Sequence, residues 1–287
     1  MNGKLPLFAA LLAVALPLRA DYRYIHAPLD TAGWASDGDR LQCVLTHVIP
    51  GFGQADFLRR PKHGLIFRIQ VLRGPKAGGT ARLMSLPPEW KHFTHPRNLG
   101  TVPVVPGKTP FYLNNGWARR LLAELETGMI PVLRYRDWAD GSDIVELRLT
   151  SLRFGEAWSR FQHCEQNLLG YDFDDVRHTV FQYAFGQTSL DAGMRARLDQ
   201  IAEYLQIDPS VKRIRIDGWT DSKGFARINL KVARKRAEAV RDYLIGKGLP
   251  AALFRVVPHH EKDVKFSNRT QAGRNRNRRV EITLMKG

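Results

Sequence analysis

Cysteine is scarce: Cys43 and Cys164 are the only two in 287 residues. A structural zinc site needs four ligands, so this pair cannot build one without histidines. Acidic residues are also few, 28 against 44 lysines and arginines, for a formal net charge of +16. No segment beyond the first twenty residues is long and apolar enough for a membrane helix. There is no low-complexity tract and no internal repeat. The chain has no P-loop, no G-x-S-x-G and no dinucleotide fingerprint, which removes the commonest nucleotide-dependent and serine-hydrolase chemistries.

What is present begins with an export signal. Lys4 supplies a positive start, Leu5 to Leu16 an apolar core, and Ala20 a small residue at the cut. Leu18 at the third position before that cut is not small, so Ala15 is a second candidate. An apolar run this short does not span a bilayer, and a retained anchor is the alternative. The mature chain is expected to be soluble in an oxidising compartment, where two cysteines most simply form one disulfide, Cys43 to Cys164. Two unpaired buried thiols are the other reading, and His47 and His163 keep a Cys-His enzyme in view. The positive charge is spread along the chain, with 23 basic and 14 acidic residues from Gly170 onward. Nucleic acid suits such a surface, but export favours an anionic wall polymer or an acidic protein surface.

Length and pattern give an α+β chain of two domains: a signal at 1–20, a β-rich domain at 21–169 and an α/β domain at 170–287. In the first, Leu65 to Leu72 reads as a strand and Asp143 to Leu152 alternates well. Gly116 to Thr127 reads as a helix with Leu121, Leu122 and Leu125 buried, ended by Gly128. Frequent Pro and Gly punctuate the rest, so a barrel or sandwich with one covering helix is expected. Phe154 to Leu169 reads as a second helix carrying Cys164. No catalytic set stands out. His92 and His95 are followed by Pro96, which makes a zinc helix improbable. Glu124 and Glu126 point to different sides of a helix and cannot flank one bond. His259-His260-Glu261 could chelate a metal, yet a solvated loop is the better reading, and neither metal nor cofactor is expected.

In the second domain, Thr179 to Ala184 reads as a strand, and Ser189 is placed to cap a helix running to about Gln206, which Asp208-Pro209 breaks. Arg213 to Val240 is the most informative stretch. Ile214 and Ile216 alternate with charged residues as in a half-buried strand. Gly218 and Gly224 bracket a turn presenting Thr220 and Asp221. A helix follows with Ile228, Val232, Ala233, Ala237, Val240 and Leu244 at helical spacing. Asn229 and Arg236, seven apart, share one face of it. A carboxylate, an amide and a guanidinium thus surround one strand-to-helix crevice. Such a trio suits a zwitterion: Asp221 accepts from an ammonium and Arg236 holds a carboxylate with two bonds. The same residues would also serve as an ion pair or a solvated surface. Leu253 to Val257 and Val280 to Leu284 supply further strands, and the run Arg274 to Arg279 reads either as a solvated loop or as a contact for wall carboxylates.

The stretch G-W-T-D-x-x-G from Gly218, with Asn229 and V-A-x-x-R-A-x-x-V to Val240, resembles the signature of the OmpA-like peptidoglycan-binding domain. The ending G-R-x-x-N-R-R-V-E, Gly273 to Glu281, is similar to its second motif. The resemblance implies an α/β sandwich over 170–287 that grips the diaminopimelate of the peptidoglycan stem peptide. Asp221 and Arg236 take the amino and carboxyl ends, with Thr220, Asn229 and Arg279 as further peptidoglycan-binding residues. Trp219, Val232-Ala233, Ala184, Gly186 and Pro258-His259-His260 depart from the pattern, which bears on the finer contacts.

Leu41 to Phe57 (L-Q-C-V-L-T-H-V-I-P-G-F-G-Q-A-D-F) resembles the MotY family of flagellar motor proteins. So do Ser85 to Trp90, the G-W-x-x-x-L-L-A-E-L-E-T-G run from Gly116, Tyr135 to Trp138, and Phe161 to Cys164 with Asn167 to Leu169. This second resemblance implies a periplasmic component of the T ring around the basal body. Its N-terminal domain would meet the basal body and a MotX-like partner, and its C-terminal domain would hold the stator units to peptidoglycan. A general wall-tethering adaptor is the main alternative, and a peptidoglycan hydrolase with a wall-binding domain the lesser one.

Overall fold

The structure is a computed structural model that describes residues 21–139, 141, 143–259 and 265–287. The expected signal at 1–20 and the pair His260-Glu261 lie outside the described residues. By internal contacts the chain falls into two compact units. One is drawn from Met1–Trp34, His47–Asp56 and Phe67–Phe154, the other from Ala35–Thr46, Phe57–Ile66 and Gly155–Gly287.

Among the described residues ten strands come first: β1 (Tyr22–Ile25), β2 (Ala35–Gly38), β3 (Cys43–Ile49), β4 (Gly53–Arg59), β5 (Ile66–Val71), β6 (Gly79–Leu86), β7 (Arg97–Val104), β8 (Phe111–Leu113), β9 (Ile130–Arg136) and β10 (Ile144–Arg148). They form two five-stranded sheets, ordered β1-β10-β9-β6-β7 and β2-β3-β4-β5-β8. The expected alternatives were a barrel or a sandwich. The sheets are open and not closed into a barrel. In the first sheet the registers Leu83↔Leu133 and Leu133↔Leu147 put three buried leucines side by side. The next residue along each strand points the other way, as the pleat demands, so Arg82, Arg134 and Glu146 form a row on the opposite face.

Helix α1 (Asn115–Glu126) buries Leu121, Leu122 and Leu125 as the spacing predicts. Gly128 ends it at φ +71°, a left-handed conformation that glycine adopts without penalty. Glu124 is buried and bonded to Ser85 Oγ (2.5 Å) and Arg97, whereas Glu126 is exposed, so the two carboxylates do not converge. His47 is fully buried, donates Nδ1–H to the Gly33 carbonyl at 2.7 Å and stacks on Trp34; burial lowers its pKa despite that bond. It is a structural histidine.

In the second unit, α2 (Phe154–Gln166) carries Cys164, which is bonded to Cys43 with a Cα–Cα distance of 5.9 Å. The short α3 (Phe173–Val176) follows, then β11 (His178–Gln182), α4 (Ala192–Ile207), β12 (Val211–Gly218), α5 (Ala226–Gly246), β13 (Phe254–Pro258), α6 (Gln271–Asn277) and β14 (Arg279–Lys286). The four strands lie in the order β11-β14-β12-β13, with only β12 and β13 parallel. Leu198, Ile201 and Leu205 of α4 and Ala237, Val240 and Leu244 of α5 share one core with Ile214, Ile216, Val280 and Ile282.

Three sequence expectations need correction here. Asp191, not Ser189, caps α4, accepting from the Met194 amide at 2.8 Å. Ile228 does not face inward; it is 54% exposed because the first turn of α5 lies beyond the sheet core. The run Arg274 to Arg279 is not a solvated loop: most of it forms α6, and Arg278 and Arg279 are buried. Gly218 is required by close approach, since a Cβ there would fall 2.3 Å from the Ala233 carbonyl oxygen on α5.

The disulfide closes a loop with a sequence separation of 121 residues. Peptide mapping without reduction is expected to recover Cys43 and Cys164 on one linked peptide. Replacing both by serine is expected to lower unfolding free energy by up to about 4–5 kcal/mol on the chain-entropy model, measured by denaturant titration.

Candidate peptidoglycan site

The strand-to-helix junction is built by β12, which ends at Gly218 and delivers Trp219, Thr220 and Asp221. All three are buried. From α5, Asn229 and Arg236 are also buried, Arg236 at 1% exposure. A cation this enclosed needs an acceptor for each N–H that faces the protein. Arg236 donates from Nε to the Gln187 carbonyl (2.8 Å), from Nη1 to the Trp219 carbonyl and from Nη2 to the Ala184 carbonyl, both at 3.3 Å. Its guanidinium lies over the Tyr183 ring, 4.8 Å from the centroid. Burial pulls its pKa down to about 10; Arg278 adds to that pull, while Tyr183 and Asp221 oppose it. Arg236 therefore stays cationic at neutral pH.

Asp221 does not bond Arg236. Its Oδ2 accepts from Arg278 Nη1 at 2.6 Å, and Arg278 Nε reaches the Tyr183 carbonyl at 3.2 Å. The Tyr183 amide in turn donates to the Arg278 carbonyl at 2.8 Å. Tyr183 thus links the two guanidinia, one over its ring and one at its backbone. Burial pushes its phenol pKa up to about 12. Its hydroxyl and Thr220 Oγ1 are buried without a hydrogen-bond partner among the described residues. Unmatched buried polar atoms of this kind are uncommon in folded proteins. Asn229 packs its amide oxygen toward Gly224, whose φ of +99° makes the turn.

Arg279, the other residue singled out in the sequence, is placed differently. Its guanidinium lies 4.2 Å from the Trp219 centroid and Nε donates to Glu281 at 2.8 Å. The His259 ring also stacks on Trp219, at 4.4 Å and 4°, and bonds Asp217 at 2.6 Å. Arg279 therefore braces the wall of the crevice, and the cation on Asp221 is its neighbour Arg278. Sequence reasoning passed over Arg278 and Tyr183. The N-R-R-V motif offered two adjacent arginines, and only the start of β14 decides which one turns toward Asp221. Among the described residues no group of three His, Cys, Asp or Glu could hold a metal ion.

A model of the MotY N-terminal domain family matches residues 25–170. The chain belongs to the MotY family. A model of the OmpA family matches residues 182–278, which include Asp221, Asn229, Arg236 and Arg278. The sodium-type flagellar protein MotY of Vibrio parahaemolyticus is 29% identical over 264 residues, 91% of this chain and 90% of that one. The peptidoglycan-associated lipoprotein of Haemophilus influenzae is 29% identical over 41% of this chain and 77% of its own. A crystal structure of the peptidoglycan-associated lipoprotein from Burkholderia pseudomallei is 30% identical over 37% of this chain and 89% of that one, with a TM-score of 0.35. No helix among the described residues of this MotY-family chain is long and apolar enough to cross a membrane.

Asp221 and Arg278 have side chains only 5% and 9% exposed, so removing one strands the other without solvent. Arg278→Met is expected to cost about 3 kcal/mol in stability, and adding Asp221→Asn to recover most of it. Equal, additive losses in a double-mutant cycle would show that the pair carries no coupling.

Proposed function

We propose that this chain is a periplasmic, non-catalytic anchor of the flagellar motor. Its region 21–169 attaches to the basal body as part of the T ring, beside a MotX-like partner. Its region 170–287 grips peptidoglycan and helps hold the stator units against the reaction torque. The observation that carries this reading is the joining, in one chain, of the MotY N-terminal domain match at 25–170 to the OmpA match at 182–278. The OmpA half alone would serve a general wall tether equally well, as its similarity to peptidoglycan-associated lipoproteins indicates. The first half favours the motor.

On this reading the ligand is the diaminopimelate head of a stem peptide. Asp221 takes the ammonium, sharing its carboxylate with Arg278, whose bond uses Oδ2. Arg236 takes the carboxylate. Its two Nη atoms are held by the longer 3.3 Å bonds, and each carries a second N–H, so an incoming anion competes only with weak acceptors. Thr220 Oγ1 and the Tyr183 hydroxyl, which have no partner among the described residues, gain one from the ligand. Asn229 holds the turn, and Arg279 fixes Trp219 behind it.

The full-length chain is expected to sediment with purified peptidoglycan sacculi. Asp221→Asn and Arg236→Lys should each weaken this by about 2–4 kcal/mol if the site is dry, with melting temperatures recorded to confirm folding. Unchanged sedimentation of both folded variants would reject the site.

A further inference from the structure

In the first unit, the face of sheet β1-β10-β9-β6-β7 opposite the buried leucines has an unusual composition. Arg82 stands directly across from Arg134, Arg134 across from Glu146, and Glu146 across from Tyr24. Arg136 and Arg148 lie two residues away along their own strands. Four guanidinia thus share this face with one carboxylate. Glu146 is saturated: Arg134 Nε reaches Oε1 at 2.9 Å, and Arg148 Nη2 reaches Oε2 at 3.0 Å. Among the described residues neither Arg82 nor Arg136 has a carboxylate partner. Like charges directly opposite on neighbouring strands destabilise a sheet, and Arg82 against Arg134 is such a pair.

Two tyrosines complete the face. Tyr22 and Tyr24 are 48% and 53% exposed on the edge strand β1, and their rings stack with centroids 6.3 Å apart. Each lies beneath a guanidinium: Arg134 is 5.5 Å from the Tyr22 centroid and Arg148 is 4.5 Å from that of Tyr24. These contacts, with Glu146, fix both guanidinia before any partner arrives, so little side-chain freedom is left to lose on binding. A merely solvated sheet face needs none of this order. It would carry balanced charge and mobile side chains, not an excess of guanidinia stiffened by aromatic rings.

We infer that this face is a protein-docking surface for a carboxylate-rich segment of another envelope protein. Tyr and Arg are the residues over-represented at the energetic centre of protein interfaces. A planar guanidinium fork matches a carboxylate in two bonds. The phenol rings offer apolar area that an Asp/Glu-rich partner would cover with its flanking side chains. The unbalanced arginines set the sign of that partner, and their salt-sensitive field speeds its approach. Choosing basal bodies as a probe rests on the motor reading above; the acidic chemistry of the partner does not.

The test uses the full chain and the double charge reversal Arg82→Glu with Arg136→Glu, two side chains without carboxylate partners, so the fold should hold. An unchanged melting temperature confirms that it does. Retention on immobilised poly-L-glutamate is expected to fall about tenfold or more in the variant, and the parent's retention to fall with rising salt. Binding to isolated flagellar basal bodies should fall in parallel. Equal retention of parent and variant on poly-L-glutamate would overturn the docking surface. If the parent binds poly-L-glutamate but no basal body, the motor reading fails and the surface stands. If the folded variant loses sacculi instead, the face serves the wall polymer and the protein partner is rejected.

Discussion

A guanidinium taken out of water must meet an acceptor wherever its N–H groups point, or the fold gives way. Arg236 meets three backbone carbonyls and the face of Tyr183. That requirement ties together parts of the chain that are remote in sequence. The segment from Ala184 to Gln187 must curl over α5, and the carbonyl of Trp219 must turn inward at the end of β12. Asp221 then sits next to a second buried cation, Arg278, held at the junction of α6 and β14. Gly218 permits the close packing of strand and helix on which these distances depend. A different side chain at either place would move the backbone that the other charge relies on.

Two buried cations and one buried carboxylate leave the cluster with an excess of positive charge. A ligand that brings both an ammonium and a carboxylate would supply the missing acceptor and still satisfy Asp221. This is the physical basis for the proposed zwitterionic ligand. The Thr220 and Tyr183 hydroxyls, without a partner among the described residues, point to the same conclusion, because each would otherwise be a standing cost.

Much of this was legible before any coordinates. The alternation at Ile214 and Ile216, the Gly218 and Gly224 punctuation and the helical spacing through Leu244 place β12, the turn and α5 where they occur. Leu121, Leu122 and Leu125 were readable as the buried stripe of α1 for the same reason. What escaped was set by tertiary contact. Periodicity cannot tell Arg278 from Arg279, since a one-residue offset at a strand start exchanges their faces. Nor could it show that Ile228, apolar and correctly spaced, lies past the edge of the core. The order of the strands in the β-rich half, and so the arginine row at Arg82 and Arg134, depends on pairings between segments some fifty residues apart in sequence, which no local pattern encodes.

The proposed clamp differs from a simple basic patch in one respect: it should count both ends of the ligand. Calorimetric titration of the full chain with two stem peptides would measure this directly, one carrying diaminopimelate and the other lysine, which has the distal ammonium but no distal carboxylate. If Arg236 receives that carboxylate, the diaminopimelate peptide binds about tenfold or more tightly, as expected for a charged hydrogen bond. Equal affinities for the two peptides would contradict the account.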